Sequence, residues 1–430
     1  MPGPMKDFLL AFAIVCAMQF TDLKFLEIKI GDVISISAII YFVTRCRDVP
    51  FPIVYQRLLF VFTLCFAISL ITLSWIRIYR PTEVISQLKA PVWISVSRYM
   101  QYIGCVFFAL FIHSILYRKS CVEQQRFILL IDRAMFWFGL FFMAFWVMGL
   151  VGVKSPFTYA SNIEVSTNRL AGGYVEGGPF GLLYAFYAMV RFRILGFAAS
   201  WLVLSVAIIV AAESKAGLFF FSVAFIYNYA VASKASVGLR LGLIAVGVLA
   251  VIISTQLFDL SGGLRGYQNS VDEIERSVAE RPDDGSLVMG RIAASFIGPK
   301  MFKGNMLFGV GFGNYSLARN NPDYLGIFPA VSGWDLDGLG GIATYGLESG
   351  LFGIVLFLIP IAAFFFSRSS ITGTRHLIVF FVLAQIFGVQ MHFQYPWLAL
   401  GLVSALEPRR RRLDSAAVRF NDQRLIRPSV

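Results

Sequence analysis

Four cationic residues stand where the chain could bind a phosphate-bearing ligand. Arg169 lies in NRLAGGYVEGG, whose glycines let the backbone approach a ligand closely, and a guanidinium can bind a phosphate through two parallel hydrogen bonds. Lys215 in ESKAG precedes an apolar run, at a predicted helix N-terminus that itself favours an anion. Arg265 and Arg291 lie in a long polar segment, together with Lys300. We therefore predict that the residues binding the anionic part of a substrate are Arg169, Lys215, Arg265 and Arg291.

Each of these cations also has a structural interpretation, and both interpretations stay open at this point. Arg169 could be an anchor at a membrane surface, its aliphatic part buried and its charge in the headgroups. Lys215 could pair with Glu213. Arg265 and Arg291 could be solvated charges of a loop.

Other residues have the chemistry of a general base. His392, in MHFQYPW, is one of three histidines and the one that the topology below places at the outer end of a membrane span. There it could serve as a base or a hydrogen-bond donor, or simply lie in an aromatic belt with Phe393 and Tyr395. The alternative bases are carboxylates: Asp335, Asp337, Glu176 and Glu348.

The elements that carry these residues are predicted to be membrane-spanning helices. The 430 residues are 57% hydrophobic and 14% charged, with a mean hydropathy of +0.72, whereas about a quarter of a soluble protein is charged. A helix needs about 20 apolar residues to span a bilayer, fewer where it is buried. We predict an all-α polytopic membrane protein of 10 to 12 spans, with candidates at 7–20, 31–44, 58–76, 94–117, 128–152, 178–190, 194–212, 216–233, 237–257, 339–366, 374–391 and 394–406.

Basic residues orient these spans, because short cytoplasmic loops carry an excess of Lys and Arg. With twelve spans, the basic clusters of the even-numbered connections and PRRRRL at 408–413 all fall on one side. Both termini are then cytoplasmic, and the odd-numbered, glycine-rich connections face outward. This count requires a break between 374–391 and 394–406, and we predict it at the sequence QYP.

The predicted organisation has four parts. About nine spans occupy 1–258, a large outward-facing loop 259–337, about three spans 338–406 and a basic cytoplasmic tail 407–430.

The loop is predicted to contain short helices. SVDEIERSVAERP opens with a capping-box pattern, Ser270 with Glu273. MGRIAASFIGPKMFKG is amphipathic, with Ile292, Phe296 and Phe302 spaced to lie on a membrane or on the top of the domain. LFGVGFGN at 307–314 follows no predicted strand, which favours a structural turn over a dinucleotide fingerprint.

Two other classes of function are disfavoured. The net charge of +12 is dispersed in short clusters between apolar runs, and no nucleic-acid motif accompanies it, so we expect no nucleic-acid partner. The five cysteines have no metal-ligand spacing, and their odd number argues against a disulfide framework.

In this arrangement the chain resembles the O-antigen polymerase and O-antigen ligase superfamily of bacterial membrane glycosyltransferases, which includes exopolysaccharide polymerases. The matching features are about twelve spans, a large outward loop before the last three, and Arg291 followed by LFGVGFGN. ESGLFGIVLFL at 348–358 is similar to the family's Glu-x-Gly-Leu-x-Gly element, and SKAG at 214–217 to its Ser-Arg/Lys-Gly element. The ligase branch typically has a His-Asn pair before Glu-x-Gly-Leu; here the region reads GWDLDGLGGIATYGLE, which favours a polymerase.

The resemblance implies a reaction and a location. Such enzymes join undecaprenyl-pyrophosphate-linked repeat units into O-antigen, a part of lipopolysaccharide, or into exopolysaccharide, on the periplasmic face of the bacterial inner membrane. The donor and the acceptor are both lipid-linked glycans, and chain-length regulators or export proteins are expected partners. Catalysis needs cations on the leaving pyrophosphate and a base for the attacking hydroxyl. The proposed bases are His392, Asp337 and Glu176, and no metal or cofactor is expected.

Two non-enzymatic hypotheses compete with this one. A transporter or flippase of lipid-linked sugars would share the hydrophobicity, but such proteins usually have internal repeats and broken helices. A non-catalytic partner in polysaccharide export would not need arginines and glycines gathered on one face. O-antigen ligase activity is the enzymatic alternative.

Overall fold

The structure is a computed structural model whose described part is built from α-helices. It describes residues 3–21, 24–25, 28–45, 48–75, 90–153, 155–160, 168–174, 176–231, 275–280, 291–330, 339–367, 374–388 and 390–406. Eleven of the twelve predicted segments are helical, and the remaining one, 237–257, lies outside the described residues. The helices are α1 (Gly3–Gln19), α2 (Ile30–Arg45), α3 (Ile53–Thr72), α4 (Pro91–Tyr117), α5 (Cys121–Leu150), α6 (Gly177–Ile194), α7 (Ala199–Ala211), α8 (Lys215–Ile226), α9 (Arg291–Gly304), α10 (Tyr315–Ala318), α11 (Pro322–Leu325), α12 (Gly341–Ser367), α13 (His376–Phe387) and α14 (Trp397–Leu406).

Four of these helices are long and apolar enough to cross a membrane: α3, α4, α5 and α12. With 20 to 30 residues at 1.5 Å each, they are about 30 to 45 Å long, which matches or exceeds the hydrocarbon core. Their outer surfaces carry large apolar side chains, among them Phe60, Trp137 and Phe366, which are 66%, 68% and 80% exposed. Water would not favour such a surface, so the prediction of an all-α membrane protein is confirmed at this level.

Two short hairpins connect helices at one end of the bundle. Strands β1 (Lys24–Phe25) and β2 (Ile28–Lys29) pair between α1 and α2. Strands β3 (Thr158–Ala160) and β4 (Asn168–Leu170) pair between α5 and α6, with Tyr159 opposite Arg169.

The connections predicted to face outward meet at one end of the helices, which we call the His392 end. Gln394 in the α13–α14 connection donates from Nε2 to the carbonyl oxygen of Gly31, at the start of α2 (2.7 Å). Tyr174, after β4, packs on Phe393 with ring centroids 5.4 Å apart. The segment between α9 and α12 joins the end of α3, because the Phe312 amide donates to Ser69 Oγ (3.0 Å).

At the opposite end, which we call the Lys119 end, two contacts join the ends of helices. Lys119, after α4, donates to Asp7 in the first turns of α1 (2.6 Å). Tyr55, near the start of α3, contacts Ser404 near the end of α14 (2.9 Å). Helices α1 and α3 therefore begin at the end of the bundle where α4 and α14 finish. The number of spans and their orientation in the membrane stay predictions.

The break predicted at QYP is confirmed. Helix α13 ends at Phe387 and α14 begins at Trp397, and the described residues between them, 388 and 390–396, are not helical. Gln394 holds this connection in place, since its Nε2 also donates to Ser35 Oγ and its Oε1 accepts from Thr21 Oγ1.

Helix α12 is kinked at Gly350, whose φ of 68° and ψ of −173° are not helical. The segment LFGVGFGN passes across this kink, and its backbone forms hydrogen bonds with the backbone of the kinked residues. Val310 and Gly311 donate to the carbonyl oxygens of Leu347 and Glu348, at 3.0 and 2.8 Å. In the other direction, the amides of residues 351 and 352 in the helix donate to the carbonyl oxygens of residues 306 and 307, at 2.8 and 3.1 Å. The structural turn predicted for LFGVGFGN is therefore present, and ESGLFG is the kink that it crosses.

Helices of the predicted loop have a small core of their own. The buried face of α9 is formed by Ala293, Ala294, Ile297 and Met301, and the predicted Phe296 and Phe302 are partly buried against the same core. Phe296 is partly buried against Phe328, and the side chain of Ile292 lies outside the described residues. Residues 275–280 are helical and contribute Val278 to the rim of this core, whereas the predicted cap at Ser270 and Glu273 lies outside the described residues.

Candidate functional site

A buried arginine contacts the predicted histidine at the His392 end. Nη1 of Arg98 lies 2.5 Å from Nδ1 and 3.4 Å from Nε2 of His392, and both side chains are at least 91% buried. Arg98 also donates from Nη1 to Gln101 Oε1 (3.5 Å), and Cys105 Sγ donates to the His392 carbonyl oxygen (3.0 Å). Helix α4 thus holds both the ring and the backbone of His392.

The contact brings a guanidinium, which has only N–H donors, against the imidazole ring of His392. Nδ1 is the ring nitrogen nearer to Arg98 Nη1. Both roles considered for His392, base and hydrogen-bond donor, stay predictions.

The position of Arg98 follows from the length of α4. It lies seven residues after the first residue of the helix, about 10 Å along the axis. An arginine inside an apolar helix is costly to desolvate, and such residues usually face a polar interior or a ligand. Arg98 is therefore a candidate that sequence reasoning missed, although a single arginine inside PVWISVSRYMQYIGC was a signal that could have identified it.

The glycine turn at 309–314 holds the start of α4. Gly309, Gly311 and Gly313 have φ values of 68°, 89° and 72°, which residues other than glycine rarely adopt. Asn314 donates to Ser95 Oγ (2.8 Å), and Ser95 donates to the Phe312 carbonyl oxygen (2.8 Å). A Cβ on Gly313 would lie 2.6 Å from Ile94 and 3.4 Å from the Cβ of Arg98, so only glycine lets the turn approach α4 this closely.

A cavity of about 520 Å³ is lined in part by Gly309, the first glycine of the same turn. It is lined by Trp75 after α3, by Asn305 and by Asn321, Asp323 and Tyr324 around α11. Asn305 donates to the Tyr324 hydroxyl (2.9 Å), which orients the ring, while Asp323 is exposed. Aromatic faces beside amide and carboxylate groups offer the stacking and hydrogen bonding that a sugar requires.

Arg169 clamps the end of α7. Its Nε lies 3.2 Å from the Glu213 carboxylate, and its Nη2 donates to the carbonyl oxygens of Ala212 and Glu213, each at 3.2 Å. Glu213 has a φ of 48°, unusual for a residue with a side chain, and the clamp stabilises it there. The sequence alone offers Glu213 as a partner of Lys215, whereas in the structure Glu213 pairs with Arg169.

Lys215 and Glu176 lie beside this clamp. Lys215 is the first residue of α8 and is exposed, as predicted for a helix N-terminus. Glu176 is the exposed residue that precedes α6. The two helix starts are joined by Ser214, whose hydroxyl donates to the Gly178 carbonyl oxygen (2.7 Å) and accepts from the Gly217 amide (3.0 Å). The structure therefore brings Arg169, Glu176 and Lys215 into one patch.

The other predicted residues are placed only in part. Arg291 is the first residue of α9, and its side chain lies outside the described residues, as do Arg265, Asp335 and Asp337 entirely. Glu348 is fully buried beside the kink of α12. Arg319, just after α10, is 99% buried, and sequence reasoning missed it because it lies in a segment that reads as a solvated loop.

No protein-family model and no curated protein matches the sequence.

Proposed function

We propose that the protein is a membrane glycosyltransferase that polymerises undecaprenyl-pyrophosphate-linked oligosaccharides into O-antigen or exopolysaccharide at the periplasmic face of a bacterial inner membrane. The observation that supports this most is the buried Arg98–His392 pair beside Gly313, in the same glycine turn whose Gly309 lines a cavity with aromatic and amide side chains. The His392 end is then the periplasmic end.

In this proposal the cavity holds sugar and the cations hold pyrophosphate. Met306, Leu307 and Phe308 line the cavity and are 40% to 60% exposed, which suits a ligand that carries a lipid. Arg98 supplies a positive charge, and the imidazole of His392 supplies a donor, for the oxygens on which charge builds in the transition state. The rest of the negative charge of the pyrophosphate is proposed to be bound by Arg169, Lys215, Arg265 and Arg291.

The reaction transfers the glycan from its pyrophosphate to a hydroxyl of the second lipid-linked unit. The new glycosidic bond forms as the bond to the pyrophosphate oxygen breaks, and the hydroxyl proton passes to a base. In this proposal His392 takes the donor role, which leaves Asp337 and Glu176 as the preferred bases. Transfer to a lipid A core, the ligase reaction, would use the same donor chemistry.

A transporter of lipid-linked sugars is the second candidate, and the kink at Gly350 is the observation in its favour. Transporters bind substrate at helices interrupted near the middle of the membrane. Here, however, four backbone hydrogen bonds join the interrupted residues to 306–311. These groups therefore have protein partners already, which makes the kink less suited to binding a substrate.

The test is the length of glycan on the lipid carrier in cells that express Arg98→Gln, His392→Ala or wild type at equal abundance in the membrane. Loss of one preorganised donor typically costs 100- to 1,000-fold in rate. We expect single repeat units to accumulate in both variants, on the periplasmic side, where an added glycosidase can reach them. His376→Ala is the matched control, because His376 contacts Tyr227 (2.7 Å) at the other end of the bundle.

Two results would contradict the proposal. Full-length polymer in both variants would remove Arg98 and His392 from the site. Repeat units that accumulate on the cytoplasmic side, protected from the glycosidase, would instead indicate a transporter.

A further inference from the structure

A second cavity, at the Lys119 end, has no part in the proposed reaction. It has a volume of about 640 Å³ and lies between the start of α1, the ends of α2 and α4 and the start of α5. Five cationic side chains and two carboxylates line it. Its cations are Lys6, Arg118, Lys119, Arg126 and Arg133.

Both carboxylates already have partners. Asp7 accepts from Lys119 through both carboxylate oxygens, at 2.7 and 2.6 Å. Glu123 accepts from the amide and hydroxyl of Ser120 in the capping box that starts α5. Among the residues that the structure describes, Lys6, Arg126 and Arg133 form no ion pair with a carboxylate. The cavity therefore has an excess of positive charge that an external anion can neutralise.

The cavity also has an apolar wall on the same helix. Arg126, Leu129, Leu130 and Arg133 follow the i, i+3, i+4, i+7 spacing of one helix face, and all four line the cavity. Leu10 of α1 adds to this wall. The two arginines are seven residues apart, about 10 Å along the axis. A ligand that fits both features carries negative charge at one part and hydrocarbon at another.

The depth of the cavity in the bilayer agrees with such a ligand. Helix α5 has 30 residues and is about 45 Å long, whereas the hydrocarbon core is about 30 Å thick. Its first turns therefore extend into the headgroup layer, where phospholipid phosphates lie. Arg126 reaches this layer directly, and Arg133 reaches it by extending its side chain along the wall.

We propose that this cavity binds one anionic phospholipid, with its phosphate between Arg126 and Arg133 and its acyl chains against Leu10, Leu129 and Leu130. Basic cavities between transmembrane helices on the cytoplasmic side are suited to acidic headgroups. The proposal rests on the charge and shape of the cavity and is independent of the glycosyltransferase activity.

The test is native mass spectrometry of the full-length protein in detergent, titrated with dioleoyl phosphatidylglycerol or dioleoyl phosphatidylcholine. These probes have the same acyl chains and differ in headgroup charge. Each cation near an acidic membrane surface contributes about 1 kcal/mol, or about fivefold in affinity. We expect phosphatidylglycerol to bind more tightly, and Arg126→Gln with Arg133→Gln to weaken it about 25-fold.

Two further variants separate charge from folding. The double variant Arg126→Lys with Arg133→Lys keeps the charge and is expected to retain most of the binding. Arg57→Gln is the matched control, since Arg57 is exposed on α3 near the same end and does not line the cavity.

Three results would overturn the proposal. Equal binding of the two lipids would show that the charge plays no part. Undiminished binding of phosphatidylglycerol by the double Gln variant would place the lipid elsewhere. Displacement of the lipid by millimolar inorganic phosphate would show that the cavity takes the free anion and that the apolar wall adds nothing.

Discussion

Gly350→Ala should release the loop segment 306–311 from helix α12. With a φ of 68° and a ψ of −173°, Gly350 has a backbone conformation that is essentially restricted to glycine, and forcing another residue into it costs about 1 to 3 kcal/mol. A Cβ at this position would also lie 2.2 Å from the Leu307 carbonyl oxygen and 2.5 Å from the Phe308 amide nitrogen. Both neighbours are backbone atoms, so the segment itself must move.

The cost of that movement follows from the hydrogen bonds nearest the clash. The amides of Leu351 and Phe352 donate to Met306 and Leu307, and each bond contributes about 0.5 to 1.5 kcal/mol. Together with the backbone strain, we expect local opening to become easier by about 3 kcal/mol, which is about 100-fold in the opening equilibrium.

Hydrogen exchange with mass spectrometry measures this opening directly in the purified protein. Peptides that cover 306–311 and 347–352 should exchange about 100-fold faster in Gly350→Ala, because exchange of a protected amide follows its opening free energy. Gly346→Ala is the matched control: Gly346 lies in the same helix, and a Cβ there meets only side-chain atoms of Ile354, the nearer at 2.6 Å. If these peptides exchanged at the wild-type rate in Gly350→Ala, or if their exchange were accelerated equally in both variants, the reasoning would be refuted.

Two further predictions concern the patch around α6 and α8. Arg169→Ala removes a partly exposed ion pair, which contributes at most about 1 kcal/mol, and two hydrogen bonds to backbone. We therefore expect a modest drop in the melting temperature of the protein in detergent. Shortened glycan at an unchanged melting temperature would instead identify Arg169 as a substrate ligand. Ser214→Ala removes the N-cap of α8 and should lower the free energy of unfolding by about 1 kcal/mol; a melting temperature equal to that of the wild type would show that the cap is unimportant.

Local signals in the sequence were sufficient for most of the helices. Apolar runs of the right length predicted their positions, because a helix that is buried in protein or lipid must be apolar along its whole length. The break at QYP was equally local, since proline and its neighbours interrupt a helix whatever surrounds it. His392 could therefore be placed at the end of a span from the sequence alone.

What the sequence could not determine were the partners of the predicted residues. Arg98 and His392 are 294 positions apart, and Arg169 and Glu213 are 44 apart. No periodicity links such pairs, because their contact depends on how the helices pack. The kink at Gly350 could not be predicted for the same reason, since its backbone groups form hydrogen bonds with a segment about 40 residues earlier in the chain. The sequence by itself thus determined the helices, their breaks and the types of residue that could act, while only the tertiary structure decided that His392 lies against Arg98 and that Arg169 is a clamp on Glu213.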